Sequence, residues 1–172
     1  MVFIGHKEVT DVPHEGGQNP FTLDITDYVV NGENELTVCV WDPTENFVNS
    51  RGKQCFEPHG CFYTRVSGIW QTVWMERVPE KYIKGYEVVT DIDAGTVTLK
   101  VKKEGVGEEG MEISIADAEG NKVGTLLSTP TSTPNTYTFS IPQARLWSPE
   151  DPYLYTFTAK YGQDEIKGYF GM

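Results

Sequence analysis

Carboxylates are the most abundant side chains in this sequence that could carry out catalysis, with 25 aspartates and glutamates among 172 residues. Two carboxylates about 5–10 Å apart can serve as a proton donor and as a nucleophile or base. The proton donor needs an apolar environment that raises its pKa. The glutamates instead occupy turns or stand beside polar residues, which predicts solvated side chains and no catalytic residue: Glu33, Glu35, Glu45, Glu57, Glu104, Glu108, Glu109 and Glu119.

Histidines and serines give no stronger signal for catalysis. His6, His14 and His59 are far apart in the sequence, and none belongs to a His-x-x-x-His pair on a helix, so no metal site is predicted. No Gly-x-Ser-x-Gly motif marks a nucleophilic serine. The sequence therefore predicts no metal and no other cofactor.

The three cysteines do not form a Cys-x-x-Cys pair, which argues against both a zinc site and a disulfide framework. Cys39 alternates with apolar residues inside a strand pattern, so a buried free thiol is expected there. Cys55 and Cys61 could form a disulfide across a short loop, although the odd cysteine count favours free thiols.

One loop contains several side chains that could bind a sugar. Cations, an imidazole and aromatic rings lie within residues 50–63, and such groups can bind hydroxyls and stack on sugar rings. One interpretation is a carbohydrate-binding rim formed by Arg51, Lys53, His59, Phe62 and Tyr63. The other interpretation is a loop that only packs against a neighbouring domain, with Phe56, Phe62 and Tyr63 as apolar anchors.

The elements that must position these residues are strands, because apolar residues alternate with polar ones along the chain and helical periodicity is nearly absent. In the first half the pattern predicts a strand over 35–41, covered on both faces, and a long irregular loop over 42–60. A short strand follows at 62–64. A turn at Ser67–Gly68 then leads into a strand over 69–76, also buried on both faces. We expect an all-β protein.

Proline and charge end this pattern at residues 78–81, where we predict a domain boundary. Beyond it, turn residues separate seven predicted strands: 82–89, 96–101, 111–115, 123–127, 136–141, 153–161 and 166–170. That number and spacing of strands is typical of an immunoglobulin-like sandwich without its disulfide.

The formal net charge of −11 and the mean hydropathy of −0.39 limit the partners of the chain. No basic block is available for a nucleic acid or an anionic membrane surface. No apolar run approaches the roughly 20 residues of a membrane-spanning helix, so a bacterial-type soluble protein is expected. The first residues lack the pattern of a secretory signal, so any export signal would lie upstream. The compartment stays open between the cytoplasm and the periplasm or exterior.

Five segments carry a resemblance to a known family: PFTLDITDYV at 20–29, NGENELTV at 31–38, RGKQ at 51–54, YTRVSGIWQTVWME at 63–76 and LWSPEDPYLY at 146–155. Together, and in this order, they resemble glycoside hydrolase family 2. That family includes β-galactosidases, β-glucuronidases and β-mannosidases.

The resemblance implies that residues 1–79 form the C-terminal part of a sugar-binding jelly roll and that residues 80–172 form an immunoglobulin-like sandwich. It also implies a (β/α)8 barrel that carries both catalytic glutamates. Residues 168–172 resemble the run that leads into this barrel, so we expect a non-catalytic portion of a β-galactosidase-like enzyme. The alternative is a free-standing carbohydrate-binding or structural module. Phe62 stands where some relatives place an acidic residue near the substrate.

The partners implied by the resemblance are a carbohydrate, bound through the full-length enzyme, and the barrel domain. Residues 2–9 resemble a hairpin from the middle of the jelly roll, so the strands that should precede it are expected to be missing. Exposed strand edges and apolar faces promote association. A homo-oligomer formed through residues 1–78 is therefore also expected.

Overall fold

The computed structural model describes residues 1–106, 110–128 and 134–172, so Glu108 and Glu109 lie outside the described residues. These residues form thirteen strands, which confirms the predicted all-β class. No helix among them is long and apolar enough to cross a membrane. The chain divides into two compact units, Met1–Trp74 (unit 1) and Met75–Met172 (unit 2).

Unit 1 contains two small sheets made of short strands. Its strands are β1 (Val2–Ile4), β2 (Lys7–Glu8), β3 (Leu36–Val38), β4 (Gln54–Cys55) and β5 (Tyr63–Thr64). The first three form an antiparallel sheet in the order β2-β1-β3, and β4 pairs with β5 in parallel. Gly5, with a φ of +58°, forms the tight turn between β1 and β2, a conformation that favours glycine.

The strand predicted over 35–41 is shorter and less buried than expected. Only Leu36–Val38 is a strand, Leu36 is 47% exposed and Trp41 is 78% exposed. Cys39 is also exposed, so the prediction of a buried thiol was wrong. Alternating apolar residues become buried only where another layer covers them. The short strands of unit 1 supply no layer wide enough to cover both faces of this segment.

The strand predicted over 69–76 is absent, and its predicted burial was wrong. Trp70 and Trp74 are 69% and 70% exposed, and the segment has no ladder partner among the described residues. The indole nitrogen of Trp70 donates a hydrogen bond to the carbonyl of Gly17 at 2.6 Å. A side-chain bond of this kind fixes the position of the segment without a strand ladder.

Unit 2 is a sandwich of two antiparallel four-stranded sheets, ordered β10-β11-β7-β6 and β13-β12-β8-β9. Its strands are β6 (Tyr82–Asp91), β7 (Thr96–Glu104), β8 (Met111–Ala116), β9 (Lys122–Val123), β10 (Thr125–Ser128), β11 (Thr136–Ser140), β12 (Tyr155–Tyr161) and β13 (Asp164–Phe170). Inward-facing residues of both sheets form one core, which includes Leu99 from the first sheet and Ile115, Phe157 and Tyr161 from the second. Strands of this sandwich are therefore half-buried, as the alternating pattern requires.

Each of the seven strands predicted for unit 2 coincides with an observed strand, with one difference. The segment predicted as a single strand over 123–127 is divided into β9, which pairs with β8, and β10, which pairs with β11. Gly124, with a φ of +82°, lies between them. The chain changes from one sheet to the other at this glycine. The jelly-roll and immunoglobulin-like identities of the two units stay predictions.

Candidate functional site

The candidate site is the segment 42–67 of unit 1, which we call the rim loop, and Asp42 links its two ends. One carboxylate oxygen of Asp42 accepts a hydrogen bond from the backbone N–H of Thr44 at 2.8 Å. The other accepts one from the hydroxyl of Ser67 at 3.1 Å. Thr44 is buried with a φ of 54°, a left-handed conformation uncommon for threonine. The carboxylate of Asp42 therefore stabilises an unusual turn as well as closing the loop.

Two further side chains organise the interior of the rim loop. Glu45 accepts a hydrogen bond from the backbone N–H of Phe56 at 3.3 Å and forms an ion pair with Arg51 at 3.5 Å. Gln54 donates to the carbonyl of Arg51 at 3.2 Å and accepts from the N–H of Val66 at 2.6 Å. These contacts join residues that are up to twelve positions apart. The rim loop thus has an ordered internal framework despite its lack of long strands.

The parallel pairing of β4 with β5 brings Lys53 and Tyr63 together. The N–H of Tyr63 donates to the carbonyl of Lys53 at 3.1 Å. A methyl group built on Gly52 would lie 3.4 Å from the hydroxyl of Tyr63, so this hydroxyl lies over the glycine. The buried thiol of Cys55 donates to the carbonyl of Glu57 at 3.2 Å, and both Cys55 and Cys61 are free. The disulfide considered for these cysteines is therefore not formed.

Two aromatic contacts lie in the same loop. The rings of His59 and Phe62 stack with centroids 5.1 Å apart and planes 26° from parallel. The Nδ1 atom of His59 is 2.8 Å from the carbonyl of Glu57, which fixes the ring orientation. The guanidinium of Arg65 lies 4.3 Å from the centroid of the Phe56 ring, a cation–π geometry. Several flat surfaces are thus held in place in one exposed segment.

The five residues predicted for the site fall into three local groups. Lys53 lies beside Tyr63, His59 stacks on Phe62, and Arg51 is held by Glu45. Sequence reasoning missed the organising residues Asp42, Glu45 and Gln54. For Asp42 a signal existed, since an aspartate in a turn often accepts a hydrogen bond from the backbone N–H two residues further along the chain. Sugar binding by these groups stays a prediction.

Each carboxyl group among the described residues whose pKa is shifted has a lowered pKa, so it is ionised at neutral pH and does not act as a proton donor. The hydroxyl of Thr26 lowers the pKa of Asp24, and the amide of Asn121 lowers that of Asp117. The guanidinium of Arg145 lowers the pKa of Asp151. Lys160 does the same for Glu165. Within the described ranges, no three His, Cys, Asp or Glu side chains are grouped so that they could hold a metal ion.

Unit 2 contains an open cavity of about 400 Å³, and several of the polar side chains around it bind one another. Arg145 binds both carboxylate oxygens of Asp151, at 2.6 and 2.7 Å, and its guanidinium lies 4.4 Å from the centre of the Tyr153 ring. The hydroxyl of Tyr153 donates to Glu119 at 3.0 Å. These contacts stabilise the turn that precedes β12, so these side chains have a structural role.

The segment LWSPEDPYLY, which supported the family resemblance, has a structural role in unit 2. The N–H of Trp147 donates to the carbonyl of Met172 at 2.7 Å. The backbones of Ser148 and Asp151 bond to each other at 3.0 and 3.1 Å, which closes a tight turn. The motif therefore connects the end of the chain to the loop before β12.

Comparison with known proteins gives a consistent family. Residues 81–172, slightly more than half of the chain, match the family model described as glycosyl hydrolases family 2. The β-galactosidase of Clostridium acetobutylicum is 32% identical over 158 residues, which cover 90% of this chain and 16% of that protein. The β-galactosidase of Halalkalibacterium halodurans is 29% identical over 164 residues, which cover 92% of this chain and 15% of that protein.

Among solved structures, a β-glucuronidase of Ruminococcus gnavus in complex with uronic isofagomine matches 55% of this chain and 15% of its own length. The TM-score is 0.44 and the sequence identity is 23%. Family membership therefore rests on the family model and the curated relatives. The chain spans less than a fifth of the length of both β-galactosidases.

Proposed function

The chain belongs to glycoside hydrolase family 2, and from that premise we propose that it is a non-catalytic, all-β portion of a β-glycosidase of the β-galactosidase type. The observation that carries this proposal is the unequal coverage of the alignments. The Clostridium acetobutylicum enzyme matches 90% of this chain, yet the chain corresponds to 16% of that enzyme. We place the hydrolysis of the β-glycosidic bond in the remainder of the parent protein.

The pKa values of the carboxyl groups support the proposal that catalysis takes place in another part of the parent protein. The proton donor of a glycosidase must stay protonated near neutral pH, so its pKa has to be raised. Among the described residues, the carboxyl groups with shifted pKa values are all shifted downward by hydrogen bonds or cations: Asp24, Asp117, Asp151 and Glu165. Such groups stay ionised and cannot donate a proton to a leaving sugar at neutral pH.

Within the parent enzyme we propose residues 1–79 as part of the sugar-binding jelly roll and residues 80–172 as the immunoglobulin-like domain. The proposed partners are a carbohydrate substrate, reached through the full-length enzyme, and the barrel that supplies the catalytic glutamates. We also propose self-association of the chain, because large apolar side chains of unit 1 such as Trp41, Trp70 and Trp74 are exposed.

We expect the 172-residue chain to release no 4-nitrophenol above background from 4-nitrophenyl β-galactoside or β-glucuronide. The physical reason is that no carboxyl group among the described residues has a raised pKa that would suit it to protonate the leaving oxygen. The measurement is absorbance at neutral pH, against a preparation from the same host with an empty vector. Turnover that purifies with the chain and exceeds this control would contradict the proposal.

The same proposal also makes a prediction about the coding sequence. We expect the reading frame that contains this chain to encode a (β/α)8 barrel after residue 172, with two glutamates at the carboxyl ends of its strands. The protein made from the whole frame should hydrolyse aryl β-galactosides. A frame without a barrel would favour the alternative, a free-standing carbohydrate-binding or structural module.

For the rim loop we propose contact with a carbohydrate through Lys53, Tyr63 and the stacked rings of His59 and Phe62. The ammonium of Lys53 makes no ion pair or hydrogen bond with the described residues, so it is available to a ligand. Residues 1–74 contain four cationic side chains, and all but Lys7 lie within 51–65: Lys7, Arg51, Lys53 and Arg65. Arg51 is already paired with Glu45, so the ammonium of Lys53 is the group that would favour a sugar that carries a carboxylate.

We expect the chain to bind a β-glucuronide more tightly than the matching β-galactoside, and Tyr63→Ala to weaken both complexes about tenfold, the equivalent of about 1.4 kcal/mol. Lys53→Gln should reduce only the preference for the glucuronide. Isothermal titration provides the measurement, and Tyr169→Ala, which removes an exposed ring from unit 2, is the matched control. Absence of saturable binding by the unaltered chain would instead support the role of a loop that packs against a neighbouring domain.

A further inference from the structure

Asn31 and Gly32 lie in the bend that precedes β3, and they are the one Asn–Gly pair among the seven asparagines of the chain. Glycine has no Cβ, so it leaves the approach to its own backbone nitrogen open. That nitrogen can react with the side-chain amide of the residue before it when both groups are free. The hydrogen bonds around the bend decide whether they are.

The reacting groups of Asn31 and Gly32 are free. Both residues are exposed, and neither the side-chain amide of Asn31 nor the backbone N–H of Gly32 makes a hydrogen bond with the described residues. Gly32 has a φ of +105°, and a methyl group built on it would meet no atom within 4 Å. The space that a cyclic imide between the two residues needs is therefore open to solvent.

The side chain of Asn34 fixes the backbone on both sides of Asn31. Its oxygen accepts a hydrogen bond from the N–H of Val30 at 2.9 Å. Its nitrogen donates to the carbonyls of Val30 and Gly32, at 2.8 and 3.1 Å. These bonds use the carbonyl of Gly32 and leave its N–H free. They also span residue 31, so they depend on the length of the backbone there.

The other asparagines are protected by their neighbours or by their own hydrogen bonds. Asn19 precedes a proline, which has no N–H to react. The side chain of Asn121 donates to Asp117 at 2.9 Å, and that of Asn49 donates to two backbone carbonyls. The remaining three precede residues whose side chains crowd the backbone N–H: Asn34, Asn46 and Asn135.

We propose that Asn31 is a site of spontaneous deamidation that releases the bend before β3. The backbone nitrogen of Gly32 attacks the Cγ atom of Asn31, its proton passes to the side-chain nitrogen, and ammonia leaves. Water then opens the cyclic imide. Addition at the backbone carbonyl of residue 31 gives isoaspartate, and addition at Cγ gives aspartate. One ammonia is lost and one water is gained, so no oxidant or reductant is required.

Isoaspartate at position 31 lengthens the backbone by one carbon between Val30 and Gly32, the two residues that Asn34 connects. It also adds a negative charge beside Glu33, in a chain whose net charge is already −11. Both changes oppose the bonds of Asn34, so the backbone that leads into β3 becomes less restrained. This modification goes beyond the proposed place of the chain in a glycosidase and does not depend on it.

Incubation of the purified chain at mildly alkaline pH, followed by digestion and mass spectrometry, tests the reaction. Trypsin releases residues 8–51 as a single peptide, because no lysine or arginine lies between Lys7 and Arg51. We expect fragment ions to place the replacement of the amide by a carboxylate at position 31 before any other asparagine. Methylation by a protein isoaspartate methyltransferase should identify isoaspartate in the product.

Two variants provide controls for this reaction. Asn31→Gln keeps the amide but adds a methylene that moves it away from the nitrogen of Gly32, and this variant should stay unmodified at position 31. Gly32→Ala should slow the reaction about tenfold or more, because its Cβ crowds that nitrogen. An unmodified Asn31 after incubation, or modification spread evenly over the seven asparagines, would overturn the proposal.

Hydrogen exchange of the β3 peptide tests the release of the bend, since exchange reports local stability. We expect faster exchange in the incubated chain than in the fresh chain, and equal exchange in fresh and incubated Asn31→Gln. Equal exchange of β3 in modified and unmodified chains would show that the bend is not released, and that part of the proposal would fail.

Discussion

Replacing Leu99 with alanine is expected to lower the free energy of unfolding of unit 2 by about 2–5 kcal/mol. Leu99 is fully buried at the centre of β7, between Val97 and Val101, which are also buried. Alanine would remove apolar surface from the core and leave a cavity that rigid neighbouring strands cannot fill. For a unit of this size, the midpoint of thermal unfolding should fall by roughly 10 °C or more.

Hydrogen exchange on peptides from β7 and β12 can measure this loss within unit 2 alone, because exchange reports local stability. Leu126→Ala is the matched control, since it makes the same chemical change at a side chain that is 43% exposed. We expect the control to cost less than about 1 kcal/mol. Equal effects of the two changes would show that the two sheets do not enclose a common core.

The sequence predicted the strands of unit 2 well because each alternating segment there has a facing layer. In β12, Tyr155, Phe157, Ala159 and Tyr161 are buried while the residues between them are more exposed. An alternating pattern predicts a strand and the identity of its inner face. It cannot show which sheet a short segment joins, and this is why the division at Gly124 was not predicted.

The same pattern was misleading in unit 1. Leu36, Val38, Val40 and Trp41 alternate or cluster as they would in a covered strand, yet most of them are exposed. Burial depends on a second layer, and sequence periodicity carries no information about whether that layer exists. The family resemblance identifies residues 63–76 as a motif, but it does not predict the exposed position of Trp70. In the structure, the indole of Trp70 is held by a side-chain hydrogen bond to the carbonyl of Gly17.

In the rim loop, residue type identified the side chains that could meet a sugar but not those that organise the loop. Arg51 and Tyr63 were predicted from their chemistry, whereas Glu45 was dismissed as a solvated carboxylate. Its role depends on contacts with Arg51 and with the backbone of Phe56, eleven residues away. Contacts at that separation follow from the path of the chain, which local sequence patterns do not describe.

The glycine at position 168 lies within the run that resembles the lead into a barrel, and its packing explains why a glycine is needed there. Gly168 pairs directly with Phe157 across β13 and β12. The ring of Phe157, which is buried, lies over the bare backbone of Gly168 and meets Tyr86 of the other sheet edge to face at 5.0 Å. An aromatic ring that covers a glycine on a neighbouring strand is a known means of stabilising an edge.

Gly168→Ala should therefore destabilise unit 2 by about 1–3 kcal/mol, because the added methyl group would overlap the ring of Phe157 and approach the hydroxyl of Tyr86 to 2.8 Å. Gly85→Ala is the matched control within a strand of the same unit, since a methyl group there meets nothing within 4 Å. The control should be neutral or slightly stabilising, because alanine restricts the unfolded chain. Urea unfolding followed by hydrogen exchange in unit 2 measures both changes. If Gly168→Ala were as stable as Gly85→Ala, the ring of Phe157 could not lie over β13, and contact between the two sheets at Tyr86 would have to be abandoned.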